Sequence, residues 1–379
     1  MKLFDTLRTL RQSLDDYQPL VEVGVSRANL LHNLHTYQEA YPTLGIAPVL
    51  KSNAYGHGLL EVARILDGED VPFFMTDSWY EARRLRRAGI RRRILIMGYA
   101  RPELIVRGLS EVECAMIDIE QVRALSKIAR HPLRIHLKID TGMHRQGIAS
   151  EELGEVARLV AGNHHLRVVG VGSHLGDADT PDSPHTRAQV TEWRRVVGEV
   201  DNLFRDIEYR HIGATPGMAY AGEAGGNVAR VGAGIYGFDL TPGSALPLRP
   251  VLELRSSIVS LRHIQKGSWV GYNATHTAAH ESVIATVPVG YFEGVDRRLS
   301  GTGIMLVNGN PAPIAGRVSM NMTSLDVSGI KDVARGDQVI AISRDPAAVN
   351  SVRAIARRIG THPGEILVHI PSHLRRVID

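Results

Sequence analysis

Cysteine is nearly absent. Cys114 is the only one in 379 residues, so no disulfide can form within the chain, and a reducing, cytoplasmic setting is expected. It lies in the apolar stretch Cys114-Ala115-Met116-Ile117 and reads as strand packing rather than as a nucleophile. No apolar run approaches the roughly 18 residues of a membrane span. The first residues, Met1-Lys2-Leu3-Phe4-Asp5-Thr6-Leu7-Arg8, lack the unbroken apolar core of a signal peptide. Charge of one sign is also missing: 44 Lys and Arg stand against 40 Asp and Glu, a net +4, which gives no case for a nucleic-acid partner. One arginine cluster, Arg83, Arg84, Arg86, Arg87, Arg91, Arg92 and Arg93, flanks Gly89. No aromatics interleave it as a base-stacking surface requires, and cations suit the carbonyl end of a helix, so it reads as a solvated helix end. No Gly-x-Gly-x-x-Gly fingerprint opens the first strand-to-helix turn, which lowers an open doubly wound sheet as an option. There is no long repeat and no low-complexity tract.

What is present is a soluble-type composition, 44% hydrophobic and 22% charged, long enough for two domains. Residues 1–18 carry Leu3, Phe4, Leu7, Leu10 and Leu14 on one helical face and read as an amphipathic N-terminal extension. Leu20 to Val25 reads as a strand, with Ser26 as N-cap of the following helix. Strand-like segments then recur near 46–51, 72–76, 93–98, 112–117, 133–139, 167–173 and 208–212. Helical segments such as Asp77 to Ala88 and Thr186 to Phe204 lie between them. Eight strand–helix units in this length predict an α/β fold, a (β/α)8 TIM-type barrel over 19–245. A Pro- and Gly-rich stretch from Thr241 to Pro250 ends the alternation. Short apolar segments at 252–256, 283–287, 304–307 and 338–342 follow, with Asn308-Gly309-Asn310 as a hairpin signal. The expectation is a mostly-β C-terminal domain over 246–379.

The chain is organised around Pro48-Val49-Leu50-Lys51-Ser52-Asn53-Ala54-Tyr55-Gly56-His57-Gly58. A buried strand ends on Lys51, and a helix of apolar period begins at Leu59. Strand carboxyl ends are where barrels and open α/β sheets bind ligands. A lysine at a strand end is commonly a solvated loop residue. On a low-dielectric floor it can instead lose its proton and form an imine with a carbonyl. Three more polar groups sit at strand ends: Arg145 after Leu137-Lys138-Ile139-Asp140-Thr141-Gly142, His174 after Val171-Gly172-Ser173, and the His211-Ile212-Gly213-Ala214-Thr215 stretch. An arginine fork suits a carboxylate.

The Lys51 stretch resembles the pyridoxal-phosphate lysine motif of the alanine racemase family, usually Lys-Ala-Asn-Ala-Tyr-Gly-His-Gly, with Ser52 for the common Ala. Further blocks resemble the same family over nearly the whole chain. The resemblance implies pyridoxal 5'-phosphate as cofactor, held covalently by Lys51, with Tyr55 in the same motif. In Lys138-Ile139-Asp140-Thr141-Gly142-Met143-His144-Arg145 it implies that Arg145 contacts the cofactor's phenolic oxygen and the substrate carboxylate. Lys138 matches a lysine that is carbamylated in some members. His174 would stack on the pyridine, and Thr215, Gly232 and Ala233 would approach the phosphate. In Arg230-Val231-Gly232-Ala233-Gly234-Ile235-Tyr236-Gly237, Arg230 would face the ring nitrogen. Arginine only donates hydrogen bonds, so it leaves that nitrogen unprotonated and favours reprotonation over side reactions. In the second domain Tyr272 would be a second base opposite Lys51, supplied by the partner subunit of a homodimer. Tyr291 would line the entry, and Met320 would meet substrate. His211 and Asn321 fall at supporting positions. Three departures stand out: Ala214 for the usual Asn, Asn321 for Asp, and no tyrosine near Ser372.

The implied activity is racemisation of L- and D-alanine, supplying D-alanine for cell-wall peptidoglycan. Two readings compete on the sequence: a racemase of wider or different specificity, such as for serine or lysine, and a non-catalytic cofactor-binding barrel. The latter lacks the second domain and its tyrosine. A cofactor-free Schiff-base aldolase is a weaker third. No metal and no nucleic acid or membrane partner are expected.

Overall fold

The computed structural model describes residues 19–239, 241 and 243–379; the helix expected over 1–18 lies outside them. The described residues form two compact units, one holding 25–252, 344–372 and 378–379, the other 19–24, 253–343 and 373–377.

Eight parallel strands build the first unit: β2 (Gly45–Pro48), β3 (Phe74–Thr76), β4 (Ile94–Ile96), β5 (Val112–Met116), β6 (Leu133–Lys138), β7 (Leu166–Gly172), β8 (Tyr209–His211) and β9 (Val228–Val231). Strands β3 to β8 run side by side in chain order, and β2 pairs with β9. Parallel bridges from Val49 to Met75 and from Ala214 to Arg230 join the two pieces on both sides, closing the ring. Phe74-Met75-Thr76 and Ile94-Leu95-Ile96 are buried at every position. Strands covered on both faces are apolar without alternation for this reason. Ala47, Phe73, Leu95 and Val228 form a buried cluster with Met97 and Tyr209 packed against it.

The helices between the strands carry the expected signals. Ser26 caps the helix Arg27–Ala40 by accepting from Asn29 N–H at 3.3 Å. Leu59, Val62, Ala63 and Leu66 bury one face of the helix Leu59–Leu66. The helix Trp79–Arg87 ends in the arginine cluster. Arg86 donates to the carbonyls of Ile90, Arg92, Ser110 and Glu111 at 2.6–2.8 Å, and Gly89 takes φ 83° just beyond. Arg92 likewise donates to the carbonyls of Val71, Asp67 and Glu69, while Arg93 pairs with Glu111 and Glu113, so these members are bonded to protein rather than simply solvated. Cys114 is buried on β5. The helices Val352–Ile359 and Pro363–Val368 also belong to this unit.

One expectation needs correcting. The strand at 20–25 exists as β1 (Glu22–Val25), but it is not the first barrel strand. It lies in a six-stranded sheet of order β16-β15-β18-β10-β1-β19. The new members are β10 (Leu252–Ser257), β15 (Ile304–Val307), β16 (Asn310–Pro313), β18 (Gln338–Ile342) and β19 (Arg375–Ile378). The eighth barrel strand is β9, buried throughout. An apolar run identifies a strand but not its neighbours; long-range pairing decides those. The second unit also holds β11 (Ser260–Ile264), β14 (Ser282–Val287) and β17 (Thr323–Asp326) as a sheet, and a small hairpin of β12 (Trp269–Val270) and β13 (His276–Thr277). The turn at Asn308-Gly309 takes φ 49° and 79°, joining β15 to β16 with Val307 opposite Asn310. That is the positive-φ pair a two-residue hairpin needs.

Candidate active site

After β2 the chain enters Lys51–Tyr55 in an unusual conformation. Ser52, Asn53, Ala54 and Tyr55 take φ of 56°, 56°, 54° and 51°, a run of left-handed helix without glycine. Each such residue costs roughly 1–2 kcal/mol, so the surroundings must hold it. Three contacts do so. The Ser52 N–H donates to Glu81 Oε1 at 2.7 Å, the Asn53 side chain accepts from Leu59 N–H at 3.0 Å, and Gly56 lies against the helix Pro363–Val368. A Cβ on Gly56 would sit 1.9 Å from the Leu367 carbonyl oxygen. His57 stacks on Tyr236 at 4.3 Å, and the Tyr236 hydroxyl donates to Val49 O at 2.8 Å.

This turn opens on a cavity of about 320 Å³ at the carboxyl ends of the strands. Lys51, Tyr55, Lys138, Arg145, His174, Thr215, Arg230, Gly232 and Ala233 all line it, as do Asp77, Gln146 and His362. Four cations face one lining carboxylate, that of Asp77, so the cavity suits an anion. The same field acts on the titrating groups. Burial and then Arg230, Arg145, Lys138 and Lys51 push His174 down to about 3. Burial, followed by Arg145 and Arg230, lowers Lys138 to about 8. Its amine donates to Gln146 Oε1 at 3.0 Å. Asp140 Oδ1 accepts the N–H groups of Gly142, Met143 and His144 at 2.9–3.1 Å, shaping the loop that carries Arg145.

Arg230 is 3% exposed. Its Nη2 donates to Ser173 O at 2.7 Å and reaches His174 Nδ1 at 3.3 Å; its Nη1 reaches His211 Nδ1 at 2.8 Å. Burial lowers it to about 10, which still leaves a cation at neutral pH. Thr215 Oγ1 accepts from Gly234 N–H at 3.3 Å. A Cβ on Gly232 would lie 2.6 Å from the Tyr55 hydroxyl, so only glycine lets that backbone and that phenol share the cavity wall.

The remaining sequence-selected residues lie in the other unit. Tyr272 is 68% exposed on a turn where Asn273 and Ala274 take positive φ. Tyr291 and Phe292 donate their N–H groups to Ser319 O and Met320 O at 3.0 and 2.9 Å. Asn321 Nδ2 donates to Glu293 Oε1 at 2.7 Å, while Glu293 Oε2 accepts from Gly290 N–H at 2.8 Å. An Asp at 321 would set two carboxylates against each other, so the amide fits its neighbour here. Tyr291, Met320 and Asn321 are therefore tied into one local network.

Several site residues escaped the sequence reading. Glu81 closes the pattern Ser78-Trp79-Tyr80-Glu81, a visible capping box, yet its contact with Ser52 has no local trace. Glu113 and His136 lie on β5 and β6, and His136 bonds His211 at 2.9 Å. Their one sequence trace is Gly170 and Gly172, alternating on β7, which leave room for imidazoles. Among the described residues no group of three His, Cys, Asp or Glu side chains is arranged for a metal. No described helix is long and apolar enough to cross a membrane.

Comparison with known proteins agrees with this architecture. The family model for the alanine racemase N-terminal domain matches residues 25–239, and that for the C-terminal domain matches 251–378. An alanine racemase of Sorangium cellulosum is 36% identical over 375 residues, covering 93% of this chain and 97% of its own. One from a Geobacter species is 33% identical, covering 96% and 99%. The solved alanine racemase of a D-cycloserine-producing Streptomyces lavendulae has a TM-score of 0.86 at 28% identity, covering 96% of this chain and 98% of its own. That of Bacillus anthracis with bound L-Ala-P has 0.86 at 27%, covering 96% of each. With both domain models matched in order along one chain, the protein belongs to the alanine racemase family of isomerases.

Proposed function

We propose that this racemase interconverts L- and D-alanine with pyridoxal 5'-phosphate and two bases, Lys51 and Tyr272. The observation that carries the reading is the shared cavity of Lys51, Arg145, His174, Thr215 and Arg230 at the strand ends. The donor set fits the cofactor. An excess of cations meets a phosphate and a carboxylate, Thr215 brings a hydroxyl, and Gly232 keeps the wall open beside Tyr55. Lys51 would hold the aldehyde carbon; Arg230 would face the ring nitrogen; Thr215, Gly232 and Ala233 would hold the phosphate. When bound, the cofactor supplies an electron-accepting ring that acidifies the substrate's α-carbon proton.

The chain's own groups then account for racemisation. The Lys51 Nζ would exchange the α-proton on one face and the Tyr272 hydroxyl would serve the other. Arg230 gives no proton at neutral pH, so it would leave a ring nitrogen beside it unprotonated. Arg145 holds the substrate carboxylate, with Tyr291 and Met320 as further substrate contacts. His174 is neutral at working pH, so it packs on the ring without adding charge. The Lys138 amine, partly uncharged near pH 8, is able to react with carbon dioxide.

Tyr272 is read as the partner subunit's contribution in a homodimer. Supporting this, Trp269, Tyr272, Phe292, Met320 and Met322 are each more than half exposed in one unit, apolar side chains that a partner subunit would cover. A cytoplasmic site and supply of D-alanine to peptidoglycan complete the reading. The test is borohydride reduction of purified protein with pyridoxal phosphate, peptide mapping, and racemisation assays on both enantiomers of alanine, serine and lysine. The expected label is on Lys51, with alanine turned over fastest. No label at Lys51, or full activity in Tyr272→Phe, overturns the two-base reading; faster serine or lysine turnover overturns the substrate.

A further inference from the structure

A chain of buried polar groups crosses the barrel interior beneath Arg230. Its Nη1 meets His211 Nδ1 at 2.8 Å; His211 Nε2 meets His136 Nδ1 at 2.9 Å; His136 Nε2 meets Glu113 Oε2 at 2.7 Å. Both imidazoles are wholly buried, with Glu113 at 2% and Arg230 at 3% exposure. Four strands supply the four groups, β5, β6, β8 and β9. The strand between β6 and β8 makes space for them. A Cβ on Gly170 would lie 2.2 Å from His136 Nδ1, and one on Gly172 would lie 2.2 Å from His211 Cε1. The Phe73 ring meets both imidazoles edge-on.

The two ends of this chain decide its polarity. A guanidinium has only donors and a carboxylate only acceptors. His211 Nδ1 must accept from Arg230, so its proton sits on Nε2. His136 Nδ1 must accept that proton's bond, so its own proton sits on Nε2 and points to Glu113. Reversing either ring sets donor against donor between two wholly buried imidazoles. Outside the chain, Arg134 Nε donates to Glu113 Oε1 at 2.5 Å, and Arg93 Nε lies 3.4 Å from the same oxygen. These cations keep Glu113 an ionised acceptor.

We propose that Glu113 and His136 are positioning residues: through His211 they form a one-way hydrogen-bond chain that fixes the direction in which Arg230 presents its N–H groups to the cavity. This rests on the reading of Arg230 as the group facing the cofactor ring nitrogen. A hydrogen-bonded network in a low-dielectric interior polarises along its length. The carboxylate at one end therefore steadies the guanidinium at the other across two neutral rings.

The test has two readouts. The first is the nitrogen resonances of ¹⁵N-histidine in the protein without cofactor, assigned by loss of signal in His136→Gln and His211→Gln. The expected result is the Nε2–H tautomer for both rings, each with a slowly exchanging ring proton. In Glu113→Gln the amide cannot accept from both His136 and Arg134, and His211 should lose its fixed tautomer. The second readout is racemisation kinetics of the holoenzyme. Glu113→Gln and His136→Leu should lower kcat about ten-fold, the scale typical of lost outer partners, with KM within two-fold of the parent. His136→Gln, whose amide keeps one acceptor and one donor, should recover most of kcat. An Nδ1–H tautomer in the parent protein overturns the proposal, as does an unchanged His211 tautomer with unchanged kcat in Glu113→Gln. Should His136→Leu fail to fold, Glu113→Gln and His136→Gln still decide. Expected spectra in a parent protein that does not racemise would sink the function and leave the chain standing.

Discussion

Glu81 holds Ser52: its Oε1 accepts the Ser52 N–H at 2.7 Å, while its Oε2 accepts the Asp77 N–H at 3.0 Å. One carboxylate thus ties the left-handed turn after Lys51 to the loop after β3. Glu81→Ala leaves two N–H groups without that acceptor, at about 1–3 kcal/mol for each one left buried. Urea unfolding should show a loss of about 2–4 kcal/mol, and Glu81→Gln a smaller one. A loss in Glu81→Ala no larger than that of an ordinary surface substitution would show that the turn holds itself.

The Lys138 amine has its folded pKa lowered to about 8 from 10.5. Between these values the unfolded chain carries the extra proton, so stability attributable to this group rises with pH from about 8 upward. Below 8 both states are protonated and the cost of the buried cation is paid in full. Lys138→Met removes the effect. Urea midpoints at pH 7 and pH 10 should converge more closely in the variant than in the parent, once other groups are subtracted as common to both. A parent protein whose pH dependence matches Lys138→Met refutes this.

Gly172→Ala should destabilise by about 1–3 kcal/mol, the range for overpacking a filled core. The added carbon would meet His211 Cε1 at 2.2 Å. Thermal unfolding checks it, with Gly198→Ala as control, since nothing lies within 4 Å of a Cβ there. Equal melting temperatures for both variants would show that the ring moves aside freely.

Mixing separates shared sites from sites made within one chain. Lys51→Ala and Tyr272→Phe proteins, each inactive, are unfolded together and refolded. In a two-fold dimer with crossed sites, each mixed dimer has one intact pair, so about a quarter of parental activity should return. No return from a mixture shown by mass spectrometry to contain mixed dimers would place both bases on one chain.

Much of this protein was written locally. The strands from β2 to β8 were legible because each is a short apolar run closed by a turn, and the helices because Ser26 and the apolar spacing announce them. Lys51, Arg145 and His174 stood at strand ends in the sequence, whereas Thr215 and Arg230 were singled out through the family resemblance; all five line one cavity. Cys114 packs in its strand as its immediate neighbours suggested, whereas Arg86, Arg92 and Arg93 find partners distant in sequence. Glu81 was only half legible: its helix-capping pattern is local, but its grip on Ser52 spans 29 positions.

By itself the sequence determined the repeating strand and helix pattern, the change to β-structure after Pro250, and the polar residues placed at strand ends such as Lys51, Arg145 and His174. These depend on periodicity and turn chemistry, which act over a few residues. Only the tertiary structure decided that β1 pairs with strands of the C-terminal half, that β9 closes the barrel, and that Glu113, His136, His211 and Arg230 meet in one buried line. Those outcomes depend on which distant strands become neighbours, and hydrogen bonds between groups 19 to 75 positions apart leave no spacing for a linear reading to find.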